Sequence, residues 1–212
     1  RDDLCETPFR HIKAKQWQPE FIVVDNQLWC FFYETSCDIL YEASGDKDER
    51  GCYFARLSEP GAKWRIRRLL FDGSESLTFD GHTFNMIFPS QNPIQLRSGR
   101  VLVPVVLAGG RSPDAPDKAR GFWSQYRRAS VLYSDDIGET WHYSKGCTVE
   151  GRTFCPWEPT VWEQSDGAVR MVFRNNSHAN FLTIDAMPKP SQYLIGAHST
   201  DGGVTWGPTE YV

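Results

Sequence analysis

Three times along the chain a proline opens an apolar stretch that breaks at a small polar turn and then resumes. The three stretches are PEFIVVDNQLWCFFYE from Pro19, PIQLRSGRVLVPVV from Pro93 and PTVWEQSDGAVRMVFR from Pro159. β-Branched and aromatic residues dominate them and helical spacing is almost absent, so each predicts a β-hairpin, turning at Asp25-Asn26, Ser98-Gly99 and Asp166-Gly167. Two more strands follow each hairpin. One (CYFARLS, RRASVLYS, QYLIGAHS) runs into a serine-led turn, and the next (WRIRRLLF, TWHYSKG, TWGPTEYV) leaves it.

The serine-led turns carry the clearest repeat. SDDIGETW and STDGGVTW share Ser134, Asp136, Gly138, Thr140 and Trp141 with Ser199, Asp201, Gly203, Thr205 and Trp206, and SEPGAKW at residues 58–64 is a shorter version. In such a turn the Asp accepts backbone N–H groups, the Gly takes positive φ and the Trp folds back over the hairpin. Asp136 and Asp201 are therefore read as scaffold rather than catalytic groups. From Pro19 to Gly61, Pro93 to Gly138 and Pro159 to Gly203 the spacing is 42, 45 and 44 residues. Four antiparallel strands at that period predict an all-β fold, a β-propeller, with about three to four blades here at roughly 16–71, 91–148 and 156–212. Residues 1–212 are expected to form one partial domain, truncated at both ends, with RDDLCETPFRHIKAK at the outer edge of a preceding blade.

Composition narrows the partners. With 212 residues, 40% hydrophobic and 14% aromatic, the chain can bury a substantial core. A net charge of −4 and a pI near 5.7 argue against nucleic acid or an acidic membrane, and no apolar run approaches the roughly 20 residues that span a bilayer. The six cysteines (Cys5, Cys30, Cys37, Cys52, Cys147, Cys155) show no metal-ligand spacing, so no metal or other cofactor is expected. They read either as buried thiols or as disulfides, Cys147–Cys155 being the easiest local pair. Asn175-Asn176-Ser177 has the form of a glycosylation sequon.

Loop length points to a working face. The turns within hairpins are short, whereas residues 35–51, 108–126, 175–191 and the connection 71–90 are long. Long loops in a compact domain are commonly functional, so a cleft is expected on that side, at the propeller axis. These segments carry Arg111, Arg120, Trp123, Tyr126, His82 and His178, suited to a polyhydroxylated, anionic ligand. Gln18, Asn92 and Glu158 precede the three prolines and are expected to head the axial strands. Near Tyr33, Val106 and Arg174 the second strands end. Glu158 and Arg174 share a hairpin, so they are expected side by side at the rim. There they form either a carboxylate grip with a proton acceptor or a pair that locks the hairpin.

SDDIGETW and STDGGVTW resemble the Asp boxes of the sialidase (neuraminidase) superfamily. The run from QPEFIVVDNQLWCFF through QNPIQLRSGRVLVPVV and EPTVWEQSDGAVRMVFRN to STDGGVTWGP resembles its bacterial-neuraminidase-repeat domain. The resemblance implies a six-bladed propeller with an axial active site, an acidic glycan as partner, and a secreted or periplasmic location. It also implies hydrolysis of a terminal sialic acid by three Arg on the sugar carboxylate, a Tyr nucleophile activated by a Glu, and an Asp acid/base. Glu158 resembles that Glu and Arg174 the middle Arg. The Phe-Arg-Ile-Pro context of the first Arg is not present, PFRHI at Arg10 being a poor match. With the remaining groups expected beyond residues 1–212, the complete protein is expected to be an enzyme and this segment inactive alone. Two other readings stand beside it: a lyase on uronate-containing glycans using His82 and Tyr126, and a sugar-binding propeller stacking ligand on Trp123, Trp157 and Trp162, with Trp162 expected in blade packing.

Overall fold

A computed structural model describes residues 3–5, 15–35, 51–71, 74, 76–112, 125–147, 156–175 and 193–212, with side chains for most of them. Every regular element among them is a strand. The strands run β1 (Asp3–Cys5), β2 (Lys15–Val24), β3 (Gln27–Thr35), β4 (Gly51–Leu57), β5 (Trp64–Leu69), β6 (Leu77–Phe79), β7 (His82–Phe84) and β8 (Met86–Pro89). They continue with β9 (Ile94–Gln95), β10 (Val101–Arg111), β11 (Gln125–Ser134), β12 (His142–Tyr143), β13 (Pro156–Glu163), β14 (Val169–Asn175), β15 (Tyr193–Ser199) and β16 (Glu210–Tyr211). Three antiparallel sheets result, ordered β1-β5-β4-β3-β2, β12-β11-β10-β8 with β9 also on β10, and β13-β14-β15-β16; β6 and β7 form a separate hairpin. The chain is a partial β-propeller.

Burial explains why the middle sheet reads as a continuous apolar run rather than an alternating one. Nine consecutive residues of β10, Val101 to Gly109, are buried because both faces of that sheet are covered. Val101, Val103, Val105 and Leu107 pack towards the first sheet with Trp29, Phe31 and Phe54, while Leu102 packs with Val161, Met171 and Phe173 of the third. Arginines latch the sheets together. Arg67 donates to the carbonyls of Gly138 and Glu139, and Arg97 donates to the carbonyls of Gln164 and Ser165 in the next hairpin turn.

Three expectations change and one open alternative is settled. Residues 3–5 do not edge a preceding blade; β1 pairs with β5, Asp3 opposite Ile66, and widens the first sheet to five strands. The connection 71–90 is not an irregular loop, since it holds β6, β7 and β8. The second sheet accordingly begins at Met86 rather than at 91, its axial strand split between β8, opposite Val105 to Ala108, and β9, opposite Val101 and Leu102. Pro104 tolerates this central position because its missing N–H falls on the side of that split, where its carbonyl accepts Ser90 N–H at 2.8 Å. Finally, Cys147 is a buried free thiol, 3.6 Å from Met171 Sδ, so the Cys147–Cys155 bridge is not formed; Cys30 and Cys52 are free as well.

The two repeated turns have matching hydrogen bonds. Ser134 Oγ donates to Asp136 Oδ1 at 2.8 Å and accepts Gly138 N–H at 2.9 Å, while Thr140 donates its N–H and hydroxyl to Asp136 at 2.8 and 2.6 Å. Ser199, Asp201, Gly203 and Thr205 repeat this at 2.7, 2.8, 2.9 and 2.6 Å. Gly138 sits at φ 76° and Gly203 at 90°, as the turn requires. The tryptophans differ from expectation. Trp141 does not cover its own hairpin but enters the preceding sheet's core, 5.3 Å from Phe31 and 5.4 Å from Phe54.

Candidate axial site

In all three sheets the axial strand is interrupted at its proline, and the interruption places the candidate residues. Pairing slips between Trp17 and Glu20 in β2 and between Trp157 and Thr160 in β13, so two residues face one on the partner strand. A proline supplies no N–H for the ladder, which makes a bulge the natural place for it. Gln18, Asn92 and Glu158 therefore lie within these breaks rather than at strand heads. Asn92 is exposed, and the side chain of Gln18 lies outside the described residues.

Glu158 shows what the bulge does to geometry. Its φ is +48°, in the left-handed region that non-glycine residues rarely occupy and that a following proline disfavours further. The twist brings its carboxylate to Arg174, whose Nε lies 3.1 Å from Oε2. The pair is accessible, with side-chain exposures of 44% for Arg174 and 27% for Glu158. Arg174 sits opposite Trp157 in the ladder. Tyr33 opposite Trp17, and Val106 opposite Phe88, occupy the corresponding places and are buried, with Tyr33 stacked 4.5 Å from Phe88. Among these three positions Arg174 alone reaches solvent.

Against Trp157, next to Glu158 in the chain, lies a residue that sequence reasoning missed. Arg127, 1% exposed, sets its guanidinium 5.7 Å from the centre of the Trp157 ring. A cation between the apolar positions of QYRRASVLYS was the available signal, but alternation alone does not tell which of Arg127 and Arg128 turns inward. Trp157 itself is buried beside Phe88, so it is a packing ring here rather than a sugar platform. Trp162 is 42% exposed, on the face of the third sheet turned away from the second.

The other candidates gather elsewhere. His82 on β7 stacks on Tyr126 of β11, ring centres 3.6 Å apart, at the seam between the first and second sheets. Tyr126 is buried there, with Phe84 at its edge, and Arg111 is exposed at the end of β10, past a register shift. Tyr126 turns to the first-sheet side of β11 while its neighbour Arg127 turns towards Trp157, so the structure does not bring His82 and Tyr126 to Glu158 and Arg174. Arg10, Arg120, Trp123, Asn176, Ser177 and His178 lie outside the described residues, as do Cys37, Cys155 and the side chain of Cys5. Among the described residues no group of three or more His, Cys, Asp or Glu could hold a metal ion.

Electrostatics separate scaffold from site. Partial burial opposes ionisation of Asp136, but the hydrogen bonds from Thr140 and Ser134 outweigh it and hold the carboxyl below the usual range. Asp201 is lowered in the same way, burial opposed by Thr205 and Ser199. Both carboxylates have their donors inside the turn and are spent on it.

Comparison with known proteins agrees with this architecture. The model of the family described as BNR repeat-like domain matches residues 6–212. A protein of unknown function from Dyadobacter fermentans is structurally similar at TM-score 0.65 and 19% identity, over 96% of this chain and 52% of that one. The Trypanosoma rangeli sialidase in complex with sialic acid aligns at 0.62 and 16% identity, over 92% and 28%. NanB sialidase from Streptococcus pneumoniae aligns at 0.50 and 18%, over 77% and 19%. The chain thus spans about half or less of the length of these proteins. No curated protein matches its sequence.

Proposed function

The chain belongs to the BNR repeat-like domain family, and from that membership we propose that it supplies three blades of a sialidase-like glycoside hydrolase acting on terminal acidic sugars. The observation that carries the reading is the conformation of Glu158. A non-glycine residue held at positive φ before a proline costs about 1–3 kcal/mol, and strain of this kind concentrates at functional sites. Here it aims a carboxylate at an accessible guanidinium on the axial rim.

Each group has a role in that reaction. Arg174 offers the sugar carboxylate a planar fork of donors, which a lysine could not match. Glu158 orients that guanidinium and accepts the proton of the attacking hydroxyl as the glycosidic C–O bond breaks; water then completes hydrolysis. The same reaction calls for a nucleophile, an acid/base group and further carboxylate-binding arginines.

The test is product analysis of the complete protein on 3′-sialyllactose. Release of free sialic acid and lactose is the expected result. An unsaturated uronate product from an acidic polysaccharide, with sialyllactose untouched, would replace hydrolysis with elimination.

A further inference from the structure

Away from the axis, on the side of the repeated turns, the seam between the first and second sheets holds a cationic recess. Arg56 on β4 and Arg65 on β5 stand directly opposite in the ladder, so their side chains leave the same face of the sheet. That face is the one turned to the second sheet, because Arg56 Nη1 lies 2.6 Å from Glu139 Oε1 and Arg67, two residues on from Arg65, donates to the carbonyls of Gly138 and Glu139. Like charges directly opposite across a ladder destabilise it, and Glu139 offsets one of the two. Arg65 is exposed and has no carboxylate or other acceptor among the described residues.

The recess encloses about 270 Å³ and is lined by Gln27, Arg56, Ser58, Arg65 and Glu139. That is just under the roughly 300 Å³ at which clefts for drug-sized molecules begin, which leaves room for a single sugar unit. The sequence explains its free hydroxyl. In the two intact turns the serine Oγ donates to the Asp two residues later and accepts the Gly N–H four residues later, whereas SEPGAKW puts Pro60 where that Asp stands. Ser58 is accordingly exposed, and among the described residues neither its hydroxyl nor the Gln27 amide has a hydrogen-bond partner. The recess stands apart from the axial rim: β4 and β5 are two and three places out from β2, on the order of 10–15 Å at about 4.8 Å per strand. Arg56 also lies opposite Trp29, near the turn end of β3, while the rim position Tyr33 is near the other end.

We propose that this recess binds a hydroxylated ring bearing one monoanionic oxyanion, the chemistry shared by sulfate-ester and uronate sugars. Two guanidiniums and one carboxylate leave the lining with a surplus of one positive charge, which one such group neutralises. The planar fork of Arg65 suits the oxyanion, while Gln27, Ser58 and Glu139 offer donors and acceptors to ring hydroxyls. A bare ion gives the Glu139 carboxylate nothing to accept and sits against its charge. A phosphate ester, with close to two charges at neutral pH, overshoots the surplus.

The test is calorimetric titration, at low salt, of N-acetylglucosamine 6-sulfate, glucuronate, N-acetylglucosamine and inorganic sulfate into the intact protein carrying Glu158→Gln and Arg174→Ala. With the axial pair removed, the outcome is independent of the proposed hydrolysis. At least one of the two charged sugars is expected to bind, the tighter one naming the oxyanion, with the neutral sugar and inorganic sulfate each at least about fivefold weaker. Adding Arg65→Ala, which removes no polar contact among the described residues, should weaken that charged sugar at least about fivefold at an unchanged urea midpoint. Ser58→Ala should weaken it about twofold or more. Failure of both charged sugars to bind, equal affinity for the neutral sugar or for inorganic sulfate, or unchanged affinity after Arg65→Ala would each overturn the proposal.

Discussion

Arg100 grips Asp135 with both arms of its guanidinium, Nε to Oδ1 at 2.7 Å and Nη2 to Oδ2 at 2.8 Å. Its remaining nitrogen reaches across to the carbonyls of Asp201 and Gly202 at 3.0 and 3.1 Å. One side chain therefore ties the turn of its own sheet to the turn of the next. The hydrogen bonds to Arg100 are the main reason the Asp135 carboxyl is held below its ordinary range.

Removing that clip should loosen the seam. Arg100→Ala is expected to lower stability by about 1–3 kcal/mol, read as a lower urea midpoint at unchanged slope, and Arg100→Lys should recover little because an ammonium lacks the fork. Full recovery by lysine would show that charge alone holds the contact.

The repeated turns predict an acid-sensitive contribution to stability. Asp136 and Asp201 have folded pKa values below their unfolded ones, so their contribution is complete above the unfolded carboxylate range, about pH 4, and disappears as pH falls through the lower folded values. Asp201→Asn should cost stability at pH 7, and the gap to wild type should shrink steadily below about pH 4. A gap independent of pH would assign the turn's stability to shape rather than charge. Activity per folded molecule should be unchanged by this substitution.

Gly138 is fixed by two constraints at once: φ of 76°, and a would-be Cβ only 3.0 Å from Trp29 and 3.1 Å from Phe54. Gly138→Ala should therefore destabilise by about 1–3 kcal/mol. A change within a few tenths of a kcal/mol in thermal or urea unfolding would mean that the turn relaxes freely.

The buried thiols should be silent. Burial pushes the Cys30 and Cys147 thiols up to about 12, and Cys52 is raised as well, so thiolate is scarce at neutral pH. N-ethylmaleimide at pH 7 should leave these three unlabelled in the native chain and label them in guanidinium, as mapped by mass spectrometry. Native labelling of Cys147 would place the seam beneath it in frequent local opening.

The fold was legible because its signals are local and repeated. Proline, hairpin turn and the Ser-x-Asp-x-Gly-x-Thr-Trp pattern each act within a few residues, and they return at a fixed spacing. The adjacency of Glu158 and Arg174 was legible for the same reason, both lying on one hairpin. Met86–Pro89 was not, because what makes it a strand is pairing with Val105–Ala108, and the break around Pro93 separates it from the hairpin that the pattern does announce. Trp157 was misjudged as a sugar platform because the bulge at Glu158-Pro159 resets the alternation around it, and only the neighbouring sheet decides which face is covered. His82 and Tyr126 share a seam instead of a cleft because the β6–β7 hairpin packs against the middle sheet, a contact no motif announces.

The central claim is that Glu158 is retained at a stability cost because the axial site needs its carboxylate. The most direct test pairs unfolding with kinetics in the complete protein for Glu158→Gly and Arg174→Ala. Glycine relieves the positive φ, so Glu158→Gly should be as stable as wild type or more so, while each variant loses at least about tenfold in kcat/KM on a sialoside. Wild-type kinetics in either folded variant, or Glu158→Gly unfolding more than about 1 kcal/mol earlier, would contradict the account.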